Sequence, residues 1–291
     1  MIPFFKMSGS GNDFILIDNR DHIVEAALGP VQVVDFVQSA CRRVASVGAD
    51  GLILIERSDR HAFRWRFFNA DGSEVEMCGN GGRCAARFAF LKKIAGPSMS
   101  FETAAGVIDA QVTQDVVKLR LTDPADLQMN VSLRVDGQNL ETHFVNTGVP
   151  HVVHFVEELD AFDVFRTGRA IRYHDHYAPR GTNANFVRVI DGRTLQVRTY
   201  ERGVEDETLA CGTGLTASVL IAAARGLVES PVSVRVRSGE ILKVYFERNE
   251  KGFSRVYFEG RVQVIYEGTI WEEAWRSLAT ETAAARLASD H

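Results

Sequence analysis

Met77-Cys-Gly-Asn-Gly-Gly-Arg-Cys-Ala-Ala-Arg-Phe (77–88) recurs, weakly but in register, as Ala210-Cys-Gly-Thr-Gly-Leu-Thr-Ala-Ser-Val-Leu (210–220). Each copy is a Cys-Gly-x-Gly turn that opens an apolar helix. The flanks repeat as well. An acidic, glycine-containing segment precedes each copy, Asn69 to Glu76 and Glu201 to Glu207, and a glycine-centred strand pair follows, around Gly106-Val-Ile-Asp-Ala-Gln-Val and Gly239-Glu-Ile-Leu-Lys-Val-Tyr. Cys78 and Cys211 stand close to half a chain length apart in 291 residues, a length that suggests about two domains. The chain therefore reads as two similar halves, 1–122 and 123–263, joined near Thr122-Asp123-Pro124, with 264–291 returning to complete the first half.

Between these landmarks short β-branched and aromatic runs dominate: 14–18, 52–56, 63–68, 116–121, 152–156, 186–190, 195–200, 232–236, 241–246 and 256–258. Val232-Ser-Val-Arg-Val-Arg alternates apolar with polar, the period-2 signature of a strand with one face in a core. Helical stripes are fewer. They are Val34, Val37, Cys41, Val44 and Ala45; Cys84, Phe88 and Leu91; and Leu215, Val219, Ala222 and Ala223. Many strands with a few helices, in two similar halves, give an α+β protein. Ile270 to Leu287, with Trp271 and Trp275, reads as an appended helix that packs onto its own domain or, as a second option, forms a dimer contact.

Composition narrows the function. With 33 Lys and Arg against 38 Asp and Glu, a net charge of -5 and a pI near 5.9, no basic face is available for a phosphate backbone, so nucleic acid is not an expected partner. The Met-Ile-Pro-Phe-Phe-Lys start lacks a secretory pattern, and the apolar run 217–224 stops at Arg225, far short of the ~20 residues of a membrane span. A cytoplasmic protein without membrane contact is expected. Four cysteines are too few for a disulfide scaffold. Cys41 and Cys84 fall on helical stripes and read as packing.

Cys78 and Cys211 read differently. Orphan N–H groups and the positive partial charge at a helix start favour a thiolate by up to ~2 kcal/mol. The same amides can cradle a carboxylate, and Gly79, Gly81, Gly212 and Gly214 leave the approach open. One sulfur could take a proton from a carbon acid while the other delivers one to the opposite face, giving inversion with no cofactor and no metal.

These segments closely resemble the diaminopimelate epimerase family. The resemblance runs in order through Ser8-Gly-Ser-Gly-Asn-Asp-Phe, Gly48-Ala-Asp-Gly-Leu-Ile, Phe67-Phe-Asn-Ala-Asp-Gly-Ser-Glu-Val, the Cys78 segment, Asn146-Thr-Gly-Val-Pro-His, Gly181-Thr-Asn-Ala-Asn-Phe and Tyr200-Glu-Arg-Gly-Val-Glu-Asp-Glu-Thr-Leu-Ala-Cys-Gly-Thr-Gly. It implies a fold of two pseudo-symmetric domains, each a strongly curved, mainly antiparallel sheet or barrel around a central helix, and pyridoxal-phosphate-independent epimerisation of L,L-diaminopimelate to the meso isomer, in lysine and peptidoglycan precursor synthesis, by a homodimer. By the same resemblance Cys78 and Cys211 are the acid/base pair, and His151 and Glu201 tune them. Asn12, Asn69, Asn183 and Arg202 hold the distal amino-acid end of the substrate, while Gly79-Asn80 and Gly212-Thr213 bind the reacting carboxylate, with Glu201 also lining the site. Two departures stand out: some members carry Gln at Gly51 and Asn at Val149.

Other readings compete. Gly212-Thr-Gly-Leu-Thr-Ala fits a dinucleotide fingerprint, but the preceding Glu205-Asp-Glu-Thr is not the apolar strand that motif needs. Gly9-Ser-Gly-Asn lacks the Lys-Ser/Thr of a phosphate loop, and neither Cys78-x5-Cys84 nor His174-Asp-His176 has zinc-ligand spacing. A racemase of another amino acid such as proline or histidine, and a non-catalytic binding protein with Cys78 and Cys211 oxidised to each other, complete the alternatives.

Overall fold

The computed structural model describes residues 1–29, 31–250 and 252–275. The first elements are β1 (Ile2–Gly9), β2 (Asn12–Asp18), α1 (Ile23–Leu28), α2 (Val33–Cys41), β3 (Gly51–Glu56), β4 (Arg64–Asn69) and β5 (Glu74–Val75). Then come α3 (Gly79–Leu91), β6 (Ser98–Thr103), β7 (Gly106–Thr113), β8 (Val116–Arg120), β9 (Ala125–Val135), β10 (Gln138–Asn146) and β11 (Pro150–Phe155). The chain continues through α4 (Val164–Arg172), β12 (Asn183–Asp191), β13 (Thr194–Glu201), β14 (Asp206–Thr208), α5 (Gly212–Ala224), β15 (Val232–Arg235), β16 (Ile241–Asn249), β17 (Gly252–Arg261) and β18 (Gln263–Ile270). It divides into two compact units, 1–117 with 261–291 and 118–260.

The two units repeat one strand grammar. In the first, β1 pairs antiparallel with β18 and β2, β2 parallel with β3, β3 antiparallel with β4, β4 antiparallel with β5 and parallel with β6, and β6 antiparallel with β7. In the second, β10 pairs antiparallel with β9 and β11, β11 parallel with β12, β12 antiparallel with β13, β13 antiparallel with β14 and parallel with β15, and β15 antiparallel with β16. The two similar halves expected from the Cys-Gly-x-Gly repeat, and the pseudo-symmetric, mainly antiparallel α+β architecture implied by the resemblance, are therefore present.

Each unit clothes both faces of its sheet. All six residues of β3, Gly-Leu-Ile-Leu-Ile-Glu, are buried, which is why this strand reads as a continuous apolar run instead of alternating. Its even positions Leu52 and Leu54 join Phe36, Val37 and Trp275 in one core, and its odd position Ile53 lies beside α3 at Gly81. In the second unit Val152, Ala184, Phe186 and Tyr200 pack with Val164 and Ile171 of α4. Val153, Val187 and Val197, on the opposite face by the period of 2, pack with α5. Residues 214–223 of α5 are all buried, so this helix is central to its unit.

Three expectations are corrected. The first helical stripe does not reach Val44 and Ala45, because α2 ends at Cys41 with Arg42 extended; Val34 and Val44 are exposed. Leu91, the last residue of α3, is also exposed, while Cys84 and Phe88 are core. Ile270 does not open the appended helix; it ends β18, opposite Ile2. Trp275 is buried and meets Phe36 edge to face at 5.4 Å between ring centres, whereas Trp271 is exposed. The rest of the expected 270–287 helix, from residue 276 onward, lies outside the described residues. No helix among the described residues is long and apolar enough to cross a membrane.

Candidate active site

Each unit ends its sheet in a polar patch beneath the first turn of a 13-residue helix, α3 or α5. Cys78 is the N-cap of α3, and its sulfur accepts the Gly81 N–H at 3.5 Å. Cys211 is the N-cap of α5, with its sulfur 3.6 Å from the Thr213 hydroxyl. Cys78 is partly exposed and Cys211 is 8% exposed. Burial pushes the thiols of Cys41 and Cys84 up to about 12.

In the first unit a directed chain of side chains runs beside Cys78. The Arg83 guanidinium donates to Asn80 Oδ1 at 2.8 Å, Asn80 Nδ2 donates to Asn12 Oδ1 at 2.8 Å, and Asn12 Nδ2 donates to the Asp50 carboxylate at 3.0 Å. A guanidinium only donates and a carboxylate only accepts, so the charged ends fix which way both amides point. Each amide nitrogen retains a second hydrogen, and with the Gly79 turn the patch presents donors suited to an anion. Arg83 is itself fully buried and also holds Ser10 at 2.6 Å. Asn69 stands apart from this chain: it is exposed at the end of β4, and its amide donates to Ser73 at 3.1 Å.

In the second unit β11, β12 and β13 bring His151, Asn183, Asn185, Thr199 and Glu201 onto the α5 face, because residues two apart on a strand share a side. The face turns from Val153, Val187 and Val197 to these polar residues where α5 begins. Asn183 donates to the Pro150 carbonyl at 2.9 Å and accepts the Arg202 N–H at 2.8 Å, while the Arg202 guanidinium donates to the Arg180 carbonyl at 3.2 Å. Burial raises the Glu201 carboxyl above its ordinary range, and the Thr208 hydroxyl and Cys211 thiol beside it act the other way. Glu201 is thus a close neighbour of Cys211. His151 is fully buried and pushed down to about 3, first by burial and then by the positive Arg202, so its ring is neutral.

The two patches are not equivalent. Phe14 faces Gly51 across β2 and β3, and Gly51 faces Asn69 across β3 and β4. The corresponding register puts His151 against Asn183. Ala184 opposite Tyr200 places Glu201 one step further along. Phe14 and Asn69 of the first unit thus correspond to the titratable His151 and Glu201 of the second. Gly51 has a packing reason to lack a side chain: a Cβ there would lie 2.6 Å from both the Phe67 ring and the Phe68 carbonyl oxygen. Val149 contributes its backbone, the carbonyl accepting from Thr147 N–H at 3.1 Å.

Asp50, Arg83, Asn185 and Thr199 were not singled out as site residues from sequence. Asn185 carried a usable signal, since Asn183-x-Asn185 on a strand puts both amides on one face. Asp50 reaches Asn12 across 38 residues of chain, and Arg83 acts through Asn80 one helical turn away, so each works through another side chain. Among the described residues no group of three or more His, Cys, Asp or Glu side chains is arranged to hold a metal ion.

A family model described as diaminopimelate epimerase matches residues 4–127 and 143–265. The diaminopimelate epimerase of Aquifex aeolicus is 48% identical over 279 residues, covering 94% of this chain and 99% of that protein. The diaminopimelate epimerase of a Hydrogenobaculum species is 48% identical over 273 residues, 91% and 97% of the two chains. Among solved structures, a PhzF-family phenazine biosynthesis protein from Bacillus anthracis superposes with a TM-score of 0.71 at 15% identity, covering 93% of this chain and 99% of that one. A probable proline racemase from Agrobacterium radiobacter gives 0.68 at 12% identity, over 96% and 95%. At those identities the structural likeness speaks for the fold alone.

Proposed function

Because the chain belongs to the diaminopimelate epimerase family, we propose that it inverts one α-carbon of L,L-diaminopimelate to give the meso isomer, using its own side chains and no cofactor. The observation that carries this reading is the paired placement of Cys78 and Cys211 as N-caps of equivalent helices, each in a Gly-flanked first turn. One cysteine, as thiolate, removes the α-proton, and the other, as thiol, protonates the opposite face of the same carbon. Charge that develops on the α-carboxylate is met by the N–H groups and side chains of Gly79-Asn80 and Gly212-Thr213. Glu201, beside Cys211, shifts the protonation of that sulfur, and His151 is the second tuning residue. Asn12, Asn69, Asn183 and Arg202 read the distal amino-acid end, for which Arg202 is the natural carboxylate partner. The enzyme works in lysine and peptidoglycan precursor synthesis, as a cytoplasmic homodimer whose thiols must stay reduced.

Reduced protein with no additive should convert L,L-diaminopimelate to the meso isomer, followed chromatographically. Cys78→Ala and Cys211→Ala should each abolish conversion while keeping the wild-type circular dichroism. Conversion by either variant at the wild-type rate would reject the two-cysteine assignment, and none by the reduced wild type would reject the activity.

A further inference from the structure

The amide of Asn185 has four hydrogen-bonding positions, and three of them are accounted for in a way that leaves no freedom. Its Nδ2 lies 2.9 Å from the Val152 carbonyl, which can only accept, so the nitrogen end of the amide must point there. Its Oδ1 accepts the Thr199 hydroxyl at 2.9 Å, directly across β12 and β13. The second Nδ2 hydrogen then falls on His151 Nδ1, 3.1 Å away. That ring nitrogen must offer a lone pair.

A neutral imidazole has one N–H, so the proton of His151 sits on Nε2. Nε2 is fully buried and has no hydrogen-bond partner among the described residues. A buried donor without an acceptor is destabilising, and its retention points to an acceptor that arrives with the reaction. The ring lies by the first turn of α5: one point, where a Cβ on Gly214 would stand, is 3.3 Å from both Cys211 Sγ and His151 Cε1.

We propose that Asn185, backed by Thr199, is a positioning residue that fixes His151 as the Nε2–H tautomer, so that His151 serves the half-site of α5 as a hydrogen-bond donor to an anion and not as a base at Nε2. The proposal rests on the epimerase reading for its substrate, though the tautomer itself is a property of the free protein. The anion is a thiolate or the reacting carboxylate, which share the same acceptor chemistry. Burial first, and then the positive charge of Arg202, keep the ring from taking a second proton.

The test is a long-range 1H–15N correlation spectrum of the full chain labelled with 15N-histidine, the His151 signals being identified by their loss in His151→Gln. The expected spectrum has a protonated Nε2 and an unprotonated Nδ1; the reverse pattern overturns the proposal. Asn185→Asp, whose carboxylate can only accept, should move the proton to Nδ1 and lower kcat/KM by roughly 10- to 100-fold, the scale seen when a partner orienting a functional histidine is lost. An Asn185→Asp protein that keeps the Nε2 proton also overturns it, and if that variant does not fold, the wild-type spectrum alone decides. A shift of the Nε2–H signal in Cys211→Ala identifies the thiolate as the acceptor, and a shift on adding meso-diaminopimelate to that variant identifies the carboxylate. The absence of both shifts would refute the donor role. A wild-type protein that shows the expected tautomer but does not turn over L,L-diaminopimelate would leave the tautomer standing and reject the substrate.

Discussion

Replacing Gly214 by alanine tests whether the polar patch under α5 is as tightly built as its hydrogen bonds indicate. The added Cβ would lie 2.3 Å from Asn185 Oδ1, a distance that requires a shift. Asn185 is poorly placed to give way, since its amide is held by Val152, Thr199 and His151 at 2.9, 2.9 and 3.1 Å. Losing two or three buried hydrogen bonds at about 0.5–1.5 kcal/mol each costs about 1–4.5 kcal/mol, and the better helix propensity of alanine returns up to about 1. A net loss centred on about 2 kcal/mol follows, within the range of overpacked cores. Gly81, the equivalent residue of α3, supplies the control. A Cβ there meets the Ile53 terminal methyl at 3.3 Å, which a small rotation relieves, so Gly81→Ala should stay within about 0.5 kcal/mol of the wild type. Urea unfolding followed by circular dichroism reads the difference. Equal midpoints for the two variants would refute the reasoning.

Iodoacetamide at pH 8 should modify Cys78 in the folded protein and spare Cys41 and Cys84, whose burial holds them near 12; peptide mass mapping that finds Cys84 alkylated as fast as Cys78 would contradict this. Trp275→Ala should destabilise by about 3–5 kcal/mol through loss of its packing on Phe36, and Trp271→Ala by no more than about 0.5, both read from urea midpoints. Burial alone would raise Asp13, but Arg43 at 2.7 Å and Lys6 at 2.8 Å outweigh it and lower its carboxyl from 3.8 to about 2. The folded value lies below the unfolded one, so the contribution of about 2 kcal/mol is present above pH ~4 and fades as the pH falls toward 2. Asp13→Asn should therefore be less stable than the wild type at pH 6, with the gap narrowing on acidification; a gap that does not change between pH 6 and pH 2.5 would contradict the assignment.

The architecture was legible because the repeat is carried by backbone requirements. Cys-Gly-x-Gly at 78–81 and 211–214 marks two helix starts, and the strands around them are apolar enough to show their period. Two elements missed from sequence, β9 and α4, have a common cause in their slight burial. β9 pairs with β10 through Leu133 and Val135 at one end while most of its other residues are exposed, so it shows little alternation. α4 buries only Val164, Gly168 and Ile171, and its start is set by the Asp163 carboxylate accepting the Arg166 N–H at 3.0 Å, a cap seen clearly only once the helix is known. The overextended first stripe failed because periodicity continues through Val44 while the helix does not. Within the site, Asp50 and Arg83 lie inside matched segments and Thr199 outside them, yet none reads as functional from sequence, since each acts through another side chain: Asp50 through Asn12, Arg83 through Asn80 and Thr199 through Asn185. Gly51 illustrates the same limit from the other side: its lack of a side chain reads from sequence as a missing contact, and the structure gives it a steric reason in Phe67.

The central claim is that two groups, one for each face of the carbon, carry out the inversion. The direct measurement is the isotope content of product and residual substrate in the initial phase of the reaction, with L,L-diaminopimelate and reduced protein in deuterated water. The account predicts meso-diaminopimelate with one deuterium at the inverted α-carbon and residual L,L substrate still carrying hydrogen. Meso product that retains the substrate's own α-hydrogen would contradict it.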